Sequence, residues 1–134
     1  MSLYVDASAF LKLYFEEPES VVCEEILSND PAWVTGRHTI IEVRRNLARV
    51  LGGQQLREAR DLFHDDWSHC HVVELDEQTC DLAVELAEGT GVRTLDALHL
   101  AAARRVGGGA LPLLTYDLRL AQTARSIGWT VLGV

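Results

Sequence analysis

The chain has 134 residues, 48% of them hydrophobic and 24% charged. That is enough apolar material for one sizeable core and excludes a disordered chain. A net charge of −8 excludes general binding to a polyanion, so any contact with nucleic acid has to be local or assisted by a cation. No apolar run approaches the roughly 20 residues of a membrane span. The opening "MSLYVD" reaches an aspartate before any basic and then apolar stretch, so no signal peptide and a cytoplasmic location are expected.

In chain order, short β-like runs alternate with helical patterns. "LYV" (3–5) reads as a strand ending at Asp6, and "ASAFLKLY" (7–14) as a helix. "PESVVCEEILSN" (18–29) is a second helix with Pro18 in its first turn, followed by a strand at "AWVT" (32–35). "TIIEVRRNLARVL" (39–51) is helical, with Ile40, Val43, Leu47, Val50 and Leu51 as its buried face, and stops at Gly52 and Gly53. "QLREARDLFHDDW" (55–67) is a helix, "HVVEL" (71–75) a strand and "DEQTCDLAVELAE" (76–88) a helix. "TLDALHLAAARRV" (94–106) is a further helix with Thr94 as N-cap. "LPLLT" (111–115), "DLRLAQTARSI" (117–127) and "WTVLGV" (129–134) complete the chain as strand, helix and strand. This alternation predicts a single α/β domain over residues 1–134, with a five-stranded, mostly parallel sheet covered by helices on both faces. Cys23, Cys70 and Cys80 have no CxxC spacing and read as free thiols in a reducing compartment. Lys12 is the only lysine, and the other eleven basic residues are arginines.

In such sheets chemistry gathers where strands end. Two strands end in aspartate, Asp6 in "LYVD" and Asp117 in "LLTYD", each at the start of a helix. Either one alone is explained as a helix cap. Together, at the ends of two strands that can be neighbours, they form a candidate cation site. Asp96 stands in the nearly apolar "RTLDALHLAAA", on a face shared with His99, Leu100 and Ala103. A first-turn carboxylate complements the helix dipole, while an inward-facing acid on such a helix calls for a counter-charge, from a divalent cation or from Arg93. Glu42 lies on a polar stripe with Arg45, Asn46 and Arg49, and surface pairing alone accounts for it. His99 reads as a core histidine.

"YVDASAFLKLY", "IIEVRRNLAR", "RTLDALHLAAA" and "LLTYDLRLAQTA", in this order and over essentially the whole chain, resemble the PIN domain, and within it the VapC-type toxins of bacterial toxin–antitoxin pairs. The resemblance implies an endoribonuclease dependent on Mg²⁺ or Mn²⁺. Its acidic quartet maps onto Asp6, Glu42, Asp96 and Asp117 as catalytic residues and metal ligands. Ser8 and Thr115 fall where that family has small hydroxyls beside the site. Arg45, Arg49 and Arg93 become candidate phosphate contacts. The resemblance also implies a homodimer and a small antitoxin that blocks the acidic groove with a basic side chain. A catalytically weak PIN-like protein- or RNA-binding module is the alternative.

Two other chemistries fit less well. "HDDWSHCH" gathers His64, His69, Cys70 and His71, but without the pairwise spacing of a zinc site. An aspartyl-phosphate enzyme would use Asp6 after the first strand, yet the residue two positions on is Ser8, and no lysine lies late in the chain.

Overall fold

The computed structural model describes residues 2–134. Its elements follow one another as β1 (Ser2–Val5), α1 (Ala7–Leu11), α2 (Ser20–Ser28), β2 (Ala32–Gly36), α3 (Thr39–Val50), α4 (Gly53–Ser68), β3 (His71–Val73), α5 (Glu77–Thr90), α6 (Thr94–Gly107), β4 (Leu113–Thr115), α7 (Leu118–Ser126) and β5 (Val131–Gly133). The five strands form one sheet in the order β3-β2-β1-β4-β5, and every pairing is parallel. The expected α/β/α sandwich is therefore present, with a wholly parallel sheet. Among the described residues no helix is long and apolar enough to cross a membrane.

Side-chain alternation along the strands divides the core. Leu3, Val5 and Leu114 point to the layer of α1 to α4, where Phe10, Cys23, Leu27, Val43, Leu47 and Phe63 pack. Tyr4, Val34, Val73 and Leu113 point to the other layer, built on α5, α6 and α7 and closed by Trp129. Tyr4 thus faces α6, a placement that matters for the site below.

Four expectations about helix ends and faces are corrected. The first helix closes at Leu11 rather than Tyr14, because Leu13 and Tyr14 donate to Phe10 and Leu11 in tighter three-residue turns. Pro18 lies in the turn before α2, whose start is organised by Ser20 bonding the Phe15 carbonyl and the Glu17 N–H. Arg93, not Thr94, holds the N-cap position of α6, in extended conformation and without a side-chain cap. Val50 is 54% exposed, since α3 ends there and the chain turns outward into α4.

Asp76 caps α5 through Oδ1, which accepts from the Thr79 N–H at 2.9 Å and from Arg105 at 2.7 Å. The Thr79 backbone N–H, then the Thr79 hydroxyl and Arg105, hold its carboxyl below the usual aspartate range. A carboxylate with a depressed folded pKa stabilises above its unfolded value and loses that contribution as pH falls through the folded value. Asp76→Ala is therefore expected to lower the melting temperature at pH 7 and to melt together with wild type at pH 2. Thermal denaturation followed by circular dichroism across that range measures the convergence.

Candidate active site

The order β3-β2-β1-β4-β5 places the topological switch at β1 and β4. From β1 the chain builds outward through β2 and β3, then returns to lay β4 on the other side. Crevices at the carboxyl ends of strands at such a point are the binding sites of parallel sheets. Asp6 follows β1 and Asp117 follows β4, so both aspartates flank that crevice.

Asp6 is 3% exposed. Its Oδ1 accepts from the Ser8 hydroxyl at 2.7 Å and from the Ala9 N–H at 3.0 Å, and its Oδ2 accepts from the Thr115 hydroxyl at 2.5 Å. Ser8 and Thr115 also take the N–H groups of Tyr116 and Asp117, which ties the ends of β1 and β4 together. Burial pushes the Asp6 carboxyl above its ordinary value, more than the charge of His99, the two hydroxyls and the Ala9 N–H pull it down. No lysine or arginine pairs with it among the described residues. Asp6 thus caps α1 and is at the same time a buried carboxylate without a lysine or arginine partner among the described residues.

Asp117 likewise has two tasks. Its Oδ1 caps α7 through the N–H groups of Arg119 and Leu120, and its Oδ2 faces Arg93 at 3.0 Å. Asp96, in the first turn of α6 and 6% exposed, receives Arg93 through Nε and a terminal nitrogen at 2.9 and 2.7 Å, both on Oδ2. One guanidinium therefore clasps two of the four acids. Its own side chain is 53% exposed, so it can swing away at small cost.

Glu42 departs from the surface-pairing expectation. Its side chain is 23% exposed, and Oε1 accepts from His99 Nε2 at 2.8 Å. His99 is buried, with Tyr4 Oη 2.7 Å from its other nitrogen, and Tyr4 Oη in turn accepts the Gly36 N–H at 3.1 Å. Burial lowers the pKa of His99, but the bond to Glu42 and the charges of Glu42, Asp6 and Asp96 raise it by more, to above the usual histidine value. His38, absent from the sequence expectations, packs on His99 with ring centroids 4.1 Å apart and points Nε2 at Glu42 Oε1 from 3.8 Å. Burial first, and then the charge of His99, hold its pKa down at about 3. The only advance signal for it was a histidine two residues beyond a strand-ending glycine.

Glu42, Arg93, Thr94, Leu95, Asp96 and Asp117 line one cavity of about 410 Å³. A separate groove of about 650 Å³ is lined by Ser8, Tyr116 and Arg49 among others and by none of the four acids. Arg49 bonds Asn46 at 3.1 Å, and Arg45 is exposed on the same helix. Among the described residues, no three of the four acids bring oxygens within 4.8 Å of one another. The histidines and Cys70 of "HDDWSHCH" form no such group either.

Comparison with known proteins gives this chain its family. The family model for the PIN domain matches residues 3–126. Ribonuclease VapC46 of Mycobacterium tuberculosis is 35% identical over 133 residues, covering 98% of this chain and 96% of that protein. Ribonuclease VapC45 of the same species is 33% identical over 134 residues, covering 96% and 93%. This chain belongs to the PIN-domain family and, within it, to the VapC ribonucleases. Among solved structures, FitAcB from Neisseria gonorrhoeae superposes with a TM-score of 0.77 at 17% identity, covering 99% of this chain and 97% of that one. VapC20 of Mycobacterium tuberculosis, described as a Sarcin-Ricin loop cleaving toxin, gives 0.70 at 17% identity, covering 96% of each chain. Nucleases of the PIN family depend on divalent metal, and the residues here fit one. Carboxylate oxygens are hard donors, and buried Asp6 has no lysine or arginine partner among the described residues.

Proposed function

We propose that this chain is an endoribonuclease toxin of a toxin–antitoxin pair that uses Mg²⁺ or Mn²⁺ held by Asp6, Asp96, Asp117 and Glu42. The observation that carries the reading is Asp6, a buried carboxylate at the switch point of a parallel sheet, with Asp117 following the neighbouring strand and joined to Asp96 by Arg93. The metal would supply a nucleophile at neutral pH and offset the charge of the phosphodiester in an acidic cleft. Ser8 and Thr115 fix the plane of the Asp6 carboxylate, and His99 holds Oε1 of Glu42. Arg93 reaches both aspartates through one flexible stem, and incoming phosphate gives it a competing partner in the same cavity. Arg45 and Arg49 offer further phosphate contacts on the open face of α3.

An antitoxin partner is supported by relatives solved as such assemblies. One is a toxin-antitoxin complex from Klebsiella pneumoniae, with a TM-score of 0.67 over 86% of this chain. A homodimer and a cytoplasmic location complete the proposal on family resemblance.

The deciding experiment is cleavage of RNA by chelator-stripped protein with Mg²⁺ or Mn²⁺ restored. Activity that needs the ion and is lost in Asp96→Asn supports the reading. Cleavage that survives Asp96→Asn overturns the site, and RNA binding without cleavage favours a binding module. Arg93→Gln should raise KM for RNA about tenfold, the worth of one charge-assisted contact, while Mn²⁺ binds at least as tightly as in wild type. Steady-state kinetics and calorimetry separate the two effects.

A further inference from the structure

The histidine pair beside Glu42 has features that a nuclease cleft made of carboxylates does not explain. His38 is 4% exposed, yet neither ring nitrogen makes a well-formed hydrogen bond among the described residues, and the Leu95 backbone alone lies near enough to favour its charged form. A buried polar group left this way is costly and rare. The ring is also deliberately accommodated. A side chain on Gly36 would place its Cβ 2.6 Å from His38 Cε1 and 2.7 Å from Nδ1, so the strand end needs glycine for the ring to lie there. On its other side the ring stacks on His99, and its Nε2 points at Glu42 Oε1, the same oxygen that His99 Nε2 meets. The three donor atoms lie within 4.8 Å of one another, the only such group of His, Cys, Asp or Glu among the described residues.

We propose that His38, Glu42 and His99 form a transition-metal site with two imidazole nitrogens and one carboxylate oxygen, suited to Zn²⁺ or Co²⁺ rather than Mg²⁺. Imidazole selects later first-row ions, whereas Mg²⁺ keeps oxygen ligands and water. Three protein ligands leave a fourth position for water or another oxygen. His99 has to present Nε2 as a lone pair, so the proton there moves to Nδ1 and is donated to Tyr4 Oη, 2.7 Å away. That is the outer hydrogen bond by which ligating histidines are held in one tautomer. Glu42 also lines the acidic cavity, so it is the residue common to the two sites. The proposal does not depend on the ribonuclease reading, and its test reads metal binding.

Chelator-stripped protein is titrated with Co²⁺, whose visible absorption reports nitrogen ligation and low coordination number, and then with Zn²⁺ as competitor. One Co²⁺ per chain with an intense visible band, displaced by one equivalent of Zn²⁺, is expected. His38→Gln should weaken binding by at least about tenfold. Glu42→Gln should do the same and carries the test if His38→Gln does not fold, since Glu42 is only partly buried. Asp96→Asn should leave the band in place, as should the double variant His64→Gln with His69→Gln. An unchanged band in both His38→Gln and Glu42→Gln overturns the proposal. So does loss of the band in Asp96→Asn, which would assign the ion to the carboxylate cleft, or in the His64 and His69 variant, which would assign it to the turn before β3. RNA cleavage by the same variants is scored separately, so the nuclease reading stands or falls on its own.

Discussion

Asp6→Asn is expected to abolish RNA cleavage and to raise the melting temperature of the metal-free protein. The two effects have one cause. Asp6 is 3% exposed, and burial is the largest influence on its carboxyl, raising its pKa. A carboxylate with a raised folded pKa contributes most to stability below its unfolded pKa. That contribution is lost as pH rises through the folded value. Above its unfolded value the carboxyl therefore opposes folding. Asparagine keeps the Oδ1 bonds to Ala9 and Ser8, and its amide turns to Thr115 as a donor in place of the carboxylate acceptor. Each kcal/mol so recovered raises the melting temperature of a domain this size by about 4 °C. The gain should shrink between pH 7.5 and pH 4. Saturating Mn²⁺ should stabilise wild type, by about 2.7 kcal/mol at a hundredfold excess over Kd, and the variant much less. Activity should fall by about 10²-fold or more, the cost of removing one group that stabilises developing charge. Calorimetry with chelator and with Mn²⁺, beside a cleavage assay, measures all of this. A variant that melts below wild type at every pH would mean that the carboxylate is needed to hold the strand end.

Gly36→Ala should have the larger effect on folding. The added methyl would meet His38 at 2.6 Å and Tyr4 Oη at 3.2 Å. His38 cannot retreat, because the His99 ring stands 4.1 Å from its own. Tyr4 cannot retreat without losing the Gly36 N–H and the His99 contact. Overpacking of this kind costs about 1–3 kcal/mol. The strain falls on the chain of contacts that ends at Glu42, so cleavage should drop along with stability. Gly89→Ala, in α5, is the matched control. Its added methyl meets nothing within 4 Å, and a helical glycine replaced by alanine should stabilise by about 0.5–1 kcal/mol. Urea unfolding of the two variants should move in opposite directions.

The strands were legible because each is a short apolar run closed by Asp, Gly or a helix start. The sheet follows from their alternation with helices. Helix ends were less legible. Thr94 looks like a cap by type, yet the cap position belongs to Arg93, whose side chain is drawn instead to Asp96 and Asp117. Asp6, Asp96 and Asp117 stood out locally, as acids at strand ends or on an apolar helix. Glu42 did not, since the histidine that holds it is 57 residues away in the sequence. His38 was invisible for the same reason. A polar residue two positions beyond a strand carries no local pattern, and its partners come from α3 and α6 only when the layers close.

The pairing of β1 with β4 also sets a clock. Thr115 grips Asp6 from 109 residues further along the chain, and Asp117 follows two residues later. A ribosome adding roughly 5–20 residues per second completes β1, β2 and their helices well before β4 leaves the exit tunnel. Until then the first aspartate has the Ser8 hydroxyl but neither that of Thr115 nor the aspartate that follows β4. A chain abandoned at any earlier point in translation lacks Thr115 and Asp117, so the crevice between β1 and β4 closes only when synthesis is nearly finished.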